Sequence, residues 1–121
     1  MVDNGIIIQW GGIVPGRETM STNVFMQALR YAEELKNNGK IMDYHVYLAS
    51  QGNFSFLSGT MILDGSEEQI RHVFADERYN EIVLKSQQVA SNFFQCHAVT
   101  GPNMMKRMEQ LANVRRELGI E

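Results

Sequence analysis

Two histidines in strand-like segments are the residues of this chain with the most chemistry to offer. The first, His45, alternates with Asp43 and Tyr47 between apolar residues, and a period of two predicts that these three side chains share one strand face. A histidine there can act as a general acid or base, with Tyr47 orienting a ligand beside it. The alternative is a histidine satisfied by a hydrogen bond at a subunit interface.

The second histidine, His97, lies two residues after Gln95 in another strand-like segment. We expect both side chains, with Gln9 and Phe56 from neighbouring strands, to line the same ligand site as His45. The two histidines do not predict a shared metal site, because their strands are expected at opposite edges of the sheet, about 14 Å apart at roughly 4.8 Å per strand spacing. We therefore expect no metal.

Trp10 and Cys96 each allow a structural and a functional interpretation. Trp10 precedes Gly11 and Gly12, two glycines that permit a close backbone approach or a bulge. It is either a pocket wall that stacks on a flat ligand or a core tryptophan under a helix. Cys96, the single cysteine, alternates with apolar residues, so we expect it to be buried on the helix-covered face and inert.

The spacing of apolar residues predicts the elements that position these side chains. Strands are predicted at 5–10, 41–49, 54–63 and 92–100, which are rich in β-branched and aromatic residues. Helices are predicted from Ser21 to Asn38, from Ser66 with a break near Asp76, and after Asn103. The order β-α-β-β-α-β plus a terminal helix predicts one α+β ferredoxin-like domain over residues 1–121, with an antiparallel sheet of order 4-1-3-2.

One face of such a sheet carries no helices. The residues assigned to it mix large aromatic side chains with His, Gln, Ser and Thr, which is too apolar for water and too polar for a dry core. A partly wet cavity closed by a second subunit meets both constraints, so we expect a homodimer. We also expect the methionine-rich terminal helix to contribute to its interface.

Residues 9–18 provide a resemblance to a known family. Their tryptophan-glycine pair, followed by the run Pro15-Gly16-Arg17-Glu18, resembles the opening of a poorly characterised bacterial family of the dimeric α/β-barrel superfamily. The element order and the mixed sheet face also resemble that superfamily, in which two ferredoxin-like sheets pack face to face. Its members include cofactor-free monooxygenases, small isomerases, haem-degrading enzymes, dye-decolourising peroxidases and stress-responsive proteins, so the resemblance implies a homodimer but no single reaction.

The composition of the chain excludes several classes of partner. Its 121 residues carry a net charge of −3 without a basic stripe, which argues against nucleic acid as a partner. No segment has transmembrane length or the pattern of a signal peptide, so we expect no membrane association. One cysteine cannot form an intrachain disulfide, and together these features favour the cytoplasm.

Two functions fit these residues. The first is a homodimer that binds a small molecule, extending to a cofactor-independent enzyme, monooxygenase-like or isomerase-like, that acts on a hydrophobic or aromatic compound with His45 as acid or base. The alternative is a non-catalytic interaction or stress-related module whose mixed face is only a dimer interface. Haem binding, with His45 or His97 as axial ligand, has no other signal in the sequence. We expect no tightly held cofactor.

Overall fold

Eight elements follow one another along residues 2–120, the part of the chain that the computed structural model describes. They are β1 (Asn4–Ile13), α1 (Glu18–Asn37), β2 (Asp43–Leu48), β3 (Gly59–Gly65), α2 (Glu67–Ala75), α3 (Glu77–Val89), β4 (Ala90–Val99) and α4 (Pro102–Glu117). Ser66 and Gln69 form the predicted capping box at the start of α2. Asp76 then ends α2 and caps α3, so the second crossover consists of two helices.

The four strands form one antiparallel sheet of order β2-β3-β1-β4. This is the predicted order read from the opposite edge, and the ferredoxin-like prediction is confirmed. β1 lies in the centre beside β3, and β2 and β4 form the edges. Because β1 pairs with both β3 and β4, the direction of its side chains fixes that of these two strands, and β3 in turn fixes that of β2.

The core lies between the sheet and the crossover helices. Ile6 of β1, Leu63 of β3 and Ile70 of α2 are at most 1% exposed and belong to one apolar cluster with residues of α1 and α3. Burying side chains of this size contributes about 1.5–3 kcal/mol each. The helices are therefore held on one face, and the opposite face, which we call the helix-free face, is left open.

The predicted third strand begins later than the sequence suggested. Residues 54–57 form a turn instead, because the backbone oxygen of Asn53 accepts hydrogen bonds from the amides of Phe56 and Leu57. This turn crosses the end of β1 so closely that a Cβ on Gly11 would lie 2.3 Å from the backbone oxygen of Phe56. The predicted close approach at the glycine pair is confirmed, and glycine is the residue that permits it.

The helices of the described chain differ in how they pack. α1, α2 and α3 each bury residues against the sheet, whereas α4 buries none. Among residues 2–120, no helix combines the length and the apolar character that a membrane crossing requires.

Candidate functional site

His45 projects from the middle of β2 onto the helix-free face, as predicted. It lies opposite Ile62 of β3, and Asp64, two residues further along β3, projects on the same face. Nε2 of His45 is 3.2 Å from Oδ2 of Asp64 and 3.9 Å from Oδ2 of Asp43. Among residues 2–120, these carboxylates contact Nε2, and when the neutral ring carries its proton on Nε2 and donates it to them, Nδ1 is left as an acceptor for a ligand.

The two carboxylates around His45 are a directly opposed cross-strand pair, Asp43 with Asp64. Like charges at such positions repel each other, and the ammonium group of Lys36 and the ring of His45 lie against the pair and offset this repulsion. Nζ of Lys36 lies 3.0 Å from Oδ1 of Asp43, and this contact, with a hydrogen bond from the amide of Tyr44, holds the pKa of Asp43 below its usual value. The site therefore presents an imidazole that contacts two aspartates, with Asp43 held in its ionised form by Lys36.

A shallow depression of about 380 Å³ opens beside His45 and crosses all four strands. Its floor is apolar, with Ile7 and Ile62 at the centre, while Tyr47 stands at its rim with 65% of its surface exposed. Polar side chains thus lie at the β2 and β3 side of the depression and at Thr100 beyond β4, with apolar groups between them. This arrangement suits a small molecule with an apolar body and one hydrogen-bonding group.

Two predicted site residues on β4, Gln95 and His97, face the helices instead. Gln95 lies opposite Ile8 of β1 and accepts a hydrogen bond from the hydroxyl of Tyr79 in α3. Nε2 of His97 is 2.7 Å from Oδ1 of Asn4, which is only 2% exposed. The predicted placement of both on the helix-free face is wrong, because their polar atoms pair with groups on the helix-covered side.

The same reversal moves Cys96 to the helix-free face. Cys96 lies opposite Ile7 and is exposed, as is its same-face neighbour Phe94. The prediction of a buried Cys96 is therefore wrong. The physical reason is that β4 carries apolar residues at both parities, such as Phe93 and Phe94, so its alternation did not fix which row faced the core.

The remaining predicted residues are distributed over three places. Gln9 lies on the helix-free face between Thr60 and Phe94, outside the depression. Phe56 is 74% exposed in the turn before β3 and belongs to no strand. Trp10 points under the helices, where its ring centroid lies 5.6 Å from that of Phe25.

A second pocket lies on the helix-covered side, between α1, α3 and the sheet. Its volume is about 60 Å³, and its lining is mostly apolar, with aromatic rings from Trp10, Phe25 and Phe93. Tyr79 also lines it, and burial raises the pKa of this tyrosine well above its usual value, so the hydroxyl stays protonated and donates to Gln95. A volume of this size suits a few water-sized groups.

Sequence reasoning missed Asp64 and Lys36 as parts of the His45 site. The signal for Asp64 is the register of β2 against β3, which the ten-residue connection between them leaves undetermined. Residues 2–120 contain no group of three or more His, Cys, Asp or Glu side chains that could hold a metal ion.

Comparison with known proteins finds similarity in the fold and none in the sequence family. No protein-family model and no curated protein matches the chain. A dimeric protein of unknown function with a ferredoxin-like fold from Bacteroides fragilis is similar in structure, with a TM-score of 0.61 at 8% identity over 80% of this chain and 95% of that one. A conserved protein from Methanosarcina mazei gives a TM-score of 0.61 at 13% identity, over 82% of this chain and 94% of that one.

A third structural neighbour carries a functional name. This protein, from Chloroflexus aurantiacus, is provisionally named an antibiotic biosynthesis monooxygenase, and it aligns with a TM-score of 0.53 at 8% identity over 81% of this chain and 93% of that one. At such low identities these likenesses concern the fold alone. The chain has a ferredoxin-like fold, which it shares with these bacterial and archaeal proteins at 8–13% identity.

Proposed function

We propose that this protein belongs to the dimeric α/β-barrel superfamily and forms a homodimer that binds a small aromatic molecule in the depression beside His45. The observation that carries the proposal is His45 itself, held 3.2 Å from Asp64 at the rim of an apolar depression of about 380 Å³. An imidazole fixed by a carboxylate on an otherwise apolar surface is an arrangement for contacting a ligand. We also propose a cytoplasmic location for the protein, because its single cysteine cannot form an intrachain disulfide.

The charges around the depression restrict the ligand class. Asp43 and Asp64 oppose the entry of a carboxylate, while Nδ1 of His45 can accept a hydrogen bond from a hydroxyl group. A hydroxylated aromatic compound meets both conditions, because its ring covers Ile7 and Ile62 while its hydroxyl reaches His45. If the protein is an enzyme, His45 is the acid or base that moves this hydroxyl proton, and Tyr47 orients the ring.

Three small probes test this assignment: phenol, anisole and benzoate. Phenol and anisole share a ring but only phenol can donate a hydrogen bond, and benzoate adds a negative charge. We expect phenol to bind most tightly, with NMR shifts centred on His45 and Tyr47. His45→Ala should weaken phenol binding about tenfold, the worth of one hydrogen bond of roughly 1.4 kcal/mol, and leave anisole binding unchanged.

Two other residues of the chain, His72 and Trp10, provide a control and a contradicting result for this test. His72→Ala removes an exposed histidine from α2, and we expect it to leave the binding of all three probes unchanged. Trp10 is the single tryptophan and lines the helix-side pocket, so a fluorescence change on binding would place the ligand there instead. Equal phenol binding by wild type and His45→Ala would remove His45 from the site.

A second candidate function is an interaction module without a ligand. The exposed apolar side chains of Tyr47 and Phe94 on the helix-free face favour it, because the same face can serve only as a dimer interface. A stable homodimer that binds none of the three probes would support this second function and exclude the first.

A further inference from the structure

The terminal helix α4 carries an uncovered apolar surface. At 100° per residue, its apolar side chains occupy about half of the helix circumference. Each is between 46% and 67% exposed. They are Met104, Met105, Met108, Leu111, Val114 and, directly after the helix, Leu118. We call this surface the α4 apolar face.

α4 gains little support from its own chain. Within it, only Asn103 and Ala112 are even partly buried. An isolated helix of this length is marginally stable in water, since most helical stability in proteins comes from packing an apolar face. A helix of 16 residues with its apolar side in water therefore requires a surface to cover it.

The solvent-exposed area of the whole chain is larger than expected for a monomer of its mass, and the excess is enough for a protein interface. A folded monomer of 13.8 kDa is expected to expose about 6,600 Å². This chain exposes 8055 Å², so roughly 1,400 Å² remains beyond the expectation for a monomer of its mass. Stable homodimers bury about 800 Å² per subunit or more, so the excess is sufficient for one such interface.

Charge and position identify the occupant. α4 carries four basic and two acidic side chains, whereas the chain as a whole has a net charge of −3, so the rest of the chain is acidic. Arg107 and Arg115 project from within the α4 apolar face. α4 also begins just after Val99 and Thr100, which line the depression beside His45. A second copy of this chain offers both an apolar helix-free face and acidic groups at Asp43 and Asp64.

We infer that the α4 apolar face packs against a second copy of this chain, around the rim of the ligand depression. The inference rests on the homodimer of the proposed function and adds the helix that closes it. In a two-fold dimer each copy contributes its α4 to the other, so both helices are buried by the same contact. Arg107 and Arg115 then face the acidic rim of the partner copy.

Sedimentation velocity of paired α4 variants tests this inference. Met108→Glu combined with Leu111→Glu places two charges on the α4 apolar face without lowering helix propensity. We expect the dimer dissociation constant to rise about 100-fold or more, because both residues leave a buried interface. Gln110→Glu, on the polar side of α4, is the matched control and should leave the dimer constant unchanged. A wild-type monomer, or a dimer unaffected by the double substitution, would overturn the inference.

Further measurements separate the alternatives. Circular dichroism tests whether the double variant is folded. If it is unfolded, the variant that combines Arg107→Glu with Arg115→Glu replaces it, and we expect this variant to lose about tenfold in dimer affinity. Binding of wild-type protein to vesicles of anionic lipid with dissociation of the dimer would also overturn the inference, since α4 would then cover a membrane surface. Phenol binding is measured separately, so failure of the ligand proposal leaves the sedimentation result valid, and the reverse holds too.

Discussion

Replacing Asp76 with alanine should destabilise the fold by about 2–4 kcal/mol, because its two carboxylate oxygens hold two different elements. Oδ1 accepts a hydrogen bond of 3.0 Å from the amide of Arg78 and so caps α3. Oδ2 accepts a hydrogen bond of 2.7 Å from the hydroxyl of Tyr31 in α1. Tyr31 is 5% exposed, so the substitution leaves its hydroxyl without a partner.

The magnitude follows from these two contacts. Loss of the helix cap costs about 1 kcal/mol, and a buried hydroxyl without a partner costs about 1–3 kcal/mol. Tyr31→Phe removes the hydroxyl together with its hydrogen bond and leaves the helix cap intact, so it should destabilise the fold by about 1 kcal/mol. The double substitution should then cost less than the sum of the single ones by at least about 1 kcal/mol, since both remove the same hydrogen bond.

Reversible denaturation by urea, at one fixed protein concentration, measures these free energies of unfolding. The hydrogen bond from Tyr31 lowers the pKa of Asp76 below its usual value. Because the unfolded value is about 3.9, the contribution of the carboxylate is complete above that pH and is lost as the pH falls below it. Asp76→Asn should keep the cap and reduce this acid sensitivity. Additive effects of Asp76→Ala and Tyr31→Phe would refute the proposed coupling.

Two further predictions concern the helix-free face and the close approach beside it. Cys96 should react with a thiol reagent at least about tenfold faster in the dissociated α4 double variant than in the wild-type dimer, because the partner subunit covers the helix-free face. Equal reaction rates would show that this face is open in the dimer. Gly11→Ala should destabilise by about 1–3 kcal/mol in urea denaturation, since its Cβ would lie 2.3 Å from the backbone oxygen of Phe56. A wild-type midpoint for this variant would mean that the turn moves away without cost.

The sequence predicted the fold because local patterns and topology rules agreed. The capping box at Ser66, the break at Asp76 and the clean alternation of β2 each had a single interpretation, and each was confirmed. Given the β-α-β-β-α-β succession of elements, the right-handedness of the crossovers then determined the order of the strands in the sheet. The direction of His45 followed from the same alternation.

The prediction failed on β4, where hydrophobicity did not distinguish the two faces. Gln95 and His97 were expected on the helix-free face because the alternate row of the strand, which includes Phe94 and Cys96, was interpreted as the row under the helices. Their partners, Tyr79 and Asn4, come from α3 and β1, and no local pattern reveals such long-range pairs. A one-residue shift in the assumed facing then moved Cys96 to the wrong side as well.

The polar groups of this fold differ in where their partners lie, and this difference separates structural from functional candidates. Gln95 and His97 meet partners from the helix-covered side, so their hydrogen bonds hold the helices and the sheet edge in place. His45 meets Asp64 on a surface that the chain itself leaves half-exposed, beside an apolar depression. A histidine fixed at an open surface has a ring nitrogen to offer to another molecule, and an uncovered α4 begins at the same rim. The proposed ligand site and the proposed subunit interface therefore share one end of the sheet, so we expect binding at His45 and association of the subunits to influence each other.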